Sequence, residues 1–200
     1  MPRIAPCGRI TTRNSPIFTK RFALAFALVA VAALAASAQS TSLVFIVRHA
    51  EKAAQPADDP GLTPAGEARA AAMADVLAHA GIGAIISTPY ARTLATARPL
   101  AAKLGIPVQT VAMGTAGTPA HARAVADAVR KHAGKAVLVV GHSNTVTLIA
   151  AALGAPTLPD LCDGDYDQLF ILEVPAAGPT RFVKARFGER AVDGKCSAMR

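Results

Sequence analysis

The chain has 200 residues, 52% of them hydrophobic, 17% charged and 4% aromatic, with 21 Lys and Arg against 13 Asp and Glu. The apolar content excludes a disordered chain, unpatterned glycines exclude a collagen-like one, and three cysteines exclude a disulfide-dense miniprotein. A formal charge of +8 suggests nucleic acid or a membrane surface as partner only if the charges cluster on the folded part.

They sit elsewhere. Residues 1–21 hold Arg3, Arg9, Arg13, Lys20 and Arg21 and no acid, and the uncharged run of residues 22–36 follows. That run falls short of the roughly 20 apolar residues of a membrane-spanning helix. Ala36-Ser37-Ala38 then supplies a small-residue cleavage site. Basic, apolar and small-residue segments in this order read as a secretory signal peptide over residues 1–38, with an uncleaved anchor as the alternative. The expectation is a periplasmic or secreted protein of residues 39–200, with no stable membrane insertion after cleavage. Five of the 21 basic residues leave with the signal, so 16 face 13 acids, a net +3. No helix carries a basic stripe and no Trp is present, so nucleic acid is not an expected partner. Cys7 leaves too. Cys162 and Cys196 remain, either bridged, tying the C-terminal tail to the loop 158–167, or as two separate thiols.

The mature chain shows no repeat or interior linker. Residues 43–48 (LVFIVR) form a short β-branched run, the pattern of a strand covered on both faces. Thr63 caps a helix with Pro64 at its first position, with Ala65, Ala68, Ala72, Met73, Val76, Leu77 and Ala80 as its apolar stripe. Residues 84–87 read as a second strand. Residues 89–104 read as a helix with Tyr90, Leu94, Ala97, Ala101 and Leu104 facing the core. A third strand at 107–111 and a helix at 119–132 precede the clearest buried strand, 136–141 (AVLVVG). A helix at about 144–153 and two late strands, 168–174 and 181–187, complete the chain. The alternation predicts an α/β fold, a three-layer sandwich with a mostly parallel central sheet flanked by helices.

In such sheets ligands bind beyond the carboxyl ends of the strands. Arg48 and His49 follow the first strand, His142 follows AVLVVG, and Thr88-Pro89 leads to a helix whose first turn presents Arg92. Two imidazoles and two guanidiniums therefore converge on one sheet edge, beside helix amino ends. Forked guanidiniums and fixed donors of this kind suit a phosphoryl group.

Arg48-His49-Ala50-Glu51, Leu62-Thr63-x-x-Gly66, Thr88-Pro89-x-x-Arg92-Thr93-x-x-Thr96-Ala97 and Gly141-His142-Ser143-Asn144-Thr145 occur in that order. Over residues 43 to about 175 the chain resembles the histidine phosphatase superfamily (phosphoglycerate-mutase-like), in its short branch. The resemblance implies that His49 is a nucleophile that becomes phosphorylated and that Arg48, Arg92 and His142 neutralise the phosphoryl oxygens. Glu51, Lys52, Ser143 and Asn144 are the candidate substrate contacts, and a small phosphorylated molecule is the expected partner. Neither a cofactor nor a metal is expected. Many members supply a general-acid carboxylate from the segment after the second helix, but residues 111–125 contain no Asp or Glu. The acid stays unassigned, with Glu51 and the Asp58/Asp59 loop as options. Having no acid would favour good leaving groups such as phosphoramidates.

Asp160, Asp163, Asp165 and Asp167 read as a solvated loop without the spacing of a calcium site. His79, His121 and His132 read as surface residues of helices. Two other functions compete. A phospho-ligand-binding module of the same fold would keep the arginines with little catalysis. A serine hydrolase would use Ser143 in its Gly-His-Ser turn, but no histidine follows His142 to complete a triad.

Overall fold

A computed structural model describes residues 40–190; residues 1–38, where a signal peptide is expected, and Cys196 lie outside the described residues. The β-branched runs become the centre of a six-stranded sheet, in the order β3-β2-β4-β1-β5-β6. β1 (Ser42–Arg48) lies parallel to β4 (Ala136–Gly141), with Arg48 opposite Gly141. β2 (Ile82–Ser87) is parallel to β4 on its other side, and the short β3 (Val108–Thr110) is parallel to β2. β5 (Gln168–Val174) runs antiparallel to β1, and β6 (Arg181–Arg186) antiparallel to β5. Four parallel strands thus carry an antiparallel pair along one edge, the α/β architecture expected.

Alternation along each strand sends side chains to both faces, which makes three layers. Val44, Ile46, Val137 and Val139 pack with Val125 and Val129 of α3 (Thr118–Arg130) and Ile149 of α4 (Val146–Ala152). Phe45, Val47, Leu138 and Val140 pack with Met73 and Leu77 of α1 (Pro64–Leu77) and Leu100 of α2 (Ala91–Leu104). Each fully buried aliphatic side chain contributes about 1.5–3 kcal/mol. Among the described residues no helix is long and apolar enough to cross a membrane.

Two helices keep part of their expected stripe in the core, Met73 and Leu77 in α1 and Ala97, Ala101 and Leu104 in α2, but the buried face is shifted from the one their pattern suggested. In α1 the buried residues are Gly66, Arg69, Ala70, Met73, Ala74 and Leu77, while Val76 is 56% exposed. An alanine-rich helix has too little apolar contrast to set its phase. In α2 the buried stripe is Thr93, Thr96, Ala97 and Leu100. The threonines are buried because their hydroxyls are satisfied. Thr96 Oγ1 donates to Arg92 O (2.8 Å) and accepts from Ala50 N (2.9 Å). His121 is likewise a core residue, 2% exposed, with its Nδ1 3.1 Å from Ala112 O. His79 does lie exposed, and His132 is half-exposed with its Nε2 3.1 Å from Gln109 Oε1.

The start of α1 is docked onto the segment that follows β1. Thr63 Oγ1 accepts from Gly66 N (3.1 Å), the N-cap bond, and Thr63 N donates to Glu51 O (2.9 Å). A Cβ on Gly66 would collide with the Glu51 carbonyl, so the glycine of this motif is required by close approach.

Candidate active site

β1, β4 and β2 run parallel, so the residues after them lie on one edge of the sheet. His49 N donates to Gly141 O (2.9 Å), extending the β1–β4 ladder by one residue and bringing His49 beside His142. Their ring centroids lie 5.5 Å apart, edge to face. Thr88, immediately after β2, sets its Oγ1 3.0 Å from His142 Nε2. The ring of Tyr90 stands 5.4 Å from that of His142, and the ring of Tyr166 stands 6.1 Å from that of His49.

His49 is held in one tautomer. Its Nδ1 lies 2.8 Å from Ala50 O, and because a carbonyl only accepts, Nδ1 carries the proton and Nε2 keeps the lone pair. The bond from Ala50 N to Thr96 Oγ1 fixes the peptide that does the holding. Burial is the main reason the His49 pKa falls from 6.5 to about 3, with Arg48, His142 and Arg92 adding to the fall and the Ala50 carbonyl opposing it. Burial, then Arg92, His121 and Arg48, lower His142 to about 4. Both imidazoles are neutral at ordinary pH.

Arg48 is 4% exposed and folded against the loop 158–167. Its Nη1 donates to Cys162 O (2.8 Å) and Asp163 O (3.0 Å), and its guanidinium carbon lies 4.2 Å from the centre of the Tyr166 ring. Burial lowers its pKa, and Tyr166 and Asp163 oppose that most strongly. Arg92 stacks on Tyr90 at 4.5 Å and lies 3.6 Å from Asp59. The Nε atoms of both arginines are buried and have no hydrogen-bond partner among the described residues. Two stacked guanidiniums border the same space, an arrangement suited to an oxyanion.

That space is a cavity of about 1080 Å³, and Arg48, His49, Arg92 and His142 all line it. Lys52, Ser143 and Asn144 reach it as well. Glu51 does not. Its carboxylate accepts from Arg69 Nε (2.9 and 3.0 Å) and Nη2 (2.7 Å) and lines a separate cavity of about 320 Å³. Arg69 is 7% exposed, and a guanidinium so buried needs a counter-charge, which is why Glu51 turns away from the larger cavity.

The helix amino ends play a smaller part than expected. Asp59 already accepts from Ala91 N, the first amide of α2, at 3.0 and 3.2 Å, and α4 begins only at Val146. The positive field of the pocket therefore comes from the arginines. Ser143 is 8% exposed, and its Oγ makes no hydrogen bond to an imidazole among the described residues, so a serine nucleophile has no base.

Several cavity residues are not legible as such in the sequence. Tyr90 and Tyr166 stack on the arginines. Met113 and Thr118 form the wall between β3 and α3, and Asp160 and Asp163 belong to the loop after α4. The one signal for that loop is its density of aspartates, which reads equally well as solvation.

The family profile described as histidine phosphatase superfamily (branch 1) matches residues 44–113. No curated protein matches the chain by sequence. Among solved structures, the protein histidine phosphatase SixA complexed with tungstate is 21% identical and covers 72% of this chain and 96% of its own, with a TM-score of 0.58. A mycobacterial glucosyl-3-phosphoglycerate phosphatase is 17% identical, covering 71% of this chain and 97% of its own, with a TM-score of 0.55. YhfR of Bacillus stearothermophilus is 20% identical, covering 70% of this chain and 94% of its own, also with a TM-score of 0.55. At these identities the likeness speaks to the fold.

Proposed function

We propose that the chain, which matches the histidine phosphatase superfamily (branch 1) profile over residues 44–113, hydrolyses a phosphomonoester or phosphoramidate through a phosphohistidine at His49. The observation that carries this reading is the 2.8 Å contact between His49 Nδ1 and Ala50 O, which leaves the Nε2 lone pair available in a cavity bordered by two guanidiniums. Nε2 attacks phosphorus in line as the bond to the leaving group breaks, and water then releases inorganic phosphate. Arg48 and Arg92 meet the charge on the non-bridging oxygens. His142, held low by burial and the arginines, becomes a donor when the phosphate dianion offsets that positive field. Lys52, Ser143 and Asn144 contact the rest of the substrate at the mouth. SixA with tungstate, and a mycobacterial phosphatase complexed with VO3, give precedent for an oxyanion in this fold.

Incubation with a labelled phosphate donor tests the reading. The wild-type protein should yield an acid-labile, base-stable adduct that His49→Ala lacks. Ligand binding without adduct or turnover would reduce the protein to a phosphate-binding module.

The same proposal places the protein outside the cytoplasm, with residues 39–200 as the mature catalytic domain and Cys162 bridged to Cys196. Mass spectrometry of the protein from its own cells reads both features. The expected species begins at Gln39 and is two hydrogens lighter than its reduced form. An intact residue 1–38 segment, or two free thiols, would count against export or against the bridge.

A further inference from the structure

The phosphohistidine reading leaves one step without an agent. An alkoxide leaving group needs a proton, and the segment 111–125 brings Met113 and Thr118 to the cavity instead of a carboxylate. The carboxylates around the cavity differ sharply in what they already hold. Glu51 is taken by Arg69, and Asp59 by Ala91 N and Arg92. Asp165 accepts from Cys162 N (2.9 Å). Asp160 lines the cavity, but its Oδ1 is 3.4 Å from the hydroxyl of Thr147. Asp163 lines the cavity too, and its carboxylate has no hydrogen bond or ion pair among the described residues.

Asp163 is also placed by its backbone. Its carbonyl accepts from Arg48 Nη1 at 3.0 Å, which ties the residue to the proposed phosphate clamp and lets its charge act on Arg48. The Asp165–Cys162 bond closes the turn that carries it. His49 is buried at the bottom of the cavity, whereas Asp163 is exposed at the rim. In-line displacement by a nucleophile at the bottom drives the leaving oxygen toward the rim.

We propose that Asp163 is the proton donor to the leaving oxygen. As the His49 Nε2–P bond forms and the P–O bond breaks, the Asp163 carboxyl gives its proton to the departing oxygen, releasing the alcohol. The resulting carboxylate takes a proton from the water that next attacks phosphorus, so His49 and phosphate are released with the carboxyl restored. The proposal rests on the phosphohistidine at His49, and its test separates the two.

The readout is kcat/KM for p-nitrophenyl phosphate, whose phenolate leaves unaided, against a simple alkyl phosphate, whose alkoxide does not. Asp163→Asn keeps the backbone carbonyl that holds Arg48 and should raise the aryl-to-alkyl ratio by about 100-fold. Asp160→Asn should keep the wild-type ratio. A merely structural role for Asp163 would lower both substrates together. An unchanged ratio in Asp163→Asn, or the shift appearing in Asp160→Asn, overturns the assignment while leaving phosphohistidine chemistry intact. A wild-type protein that turns over neither ester and forms no adduct would sink both proposals.

Discussion

Arg48→Ala should lose roughly 10³-fold or more in kcat/KM, a larger effect than removal of a single neutral oxyanion donor. The guanidinium is buried and stacked on Tyr166, and its Nε, like that of Arg92, has no hydrogen-bond partner among the described residues. In such surroundings its charge is poorly screened, so it acts on phosphoryl oxygens with more force than a surface arginine would. A second consequence adds to the first. The carbonyls of Cys162 and Asp163 both accept from Nη1, so truncation also releases the loop that forms the cavity rim. Arg48→Lys should recover only a small part of the loss, because an ammonium offers no fork and no planar face for Tyr166. Steady-state kinetics checks this, together with addition of guanidinium ion, which should partly rescue the alanine variant. Activity of Arg48→Ala within tenfold of wild type would mean that Arg48 serves the loop alone.

The contrast between legible and hidden residues follows from what each depends on. Arg48, His49 and His142 were readable because β1 and β4 are continuous apolar runs, and parallel strands leave their next residues on one edge. That inference needs only strand direction. What holds those residues was not readable. Arg48 is fixed by two main-chain carbonyls 114 and 115 positions away, and a carbonyl carries no residue identity. Glu51 has the right motif position but follows the buried Arg69, whose burial depends on the phase of α1. That phase is hidden in a helix made largely of alanine. His121 illustrates the same loss of contrast. Flanked by alanines it looks like a surface residue, yet it packs inside, close enough to His142 to help lower its pKa. The loop 158–167 is the converse case, since a run of aspartates signals solvation whether or not one of them also lines a cavity.

The neutral imidazoles make the fold itself sensitive to acid. Both histidines have pKa values below the ordinary 6.5, about 3 for His49 and about 4 for His142, mainly because they are buried. Unfolding exposes them and returns them to 6.5, so between pH 6.5 and pH 4 the unfolded chain binds more protons than the folded one. Stability therefore rises with pH across that window and falls as pH is lowered. At about 1.4 kcal/mol per unit, the pair lowers stability by on the order of 3–6 kcal/mol between pH 7 and pH 4. That is a large share of the 5–15 kcal/mol that typically holds a domain folded. Denaturant titrations at pH 7 and pH 4 measure it. The control is His49→Asn combined with His142→Asn, which keeps polar side chains of similar reach but removes the titration, leaving the carboxylates and the other histidines as background. The double variant should lose most of the difference between the two pH values. An unchanged difference would place the acid sensitivity outside the two imidazoles and argue that both remain accessible to protons in the folded protein.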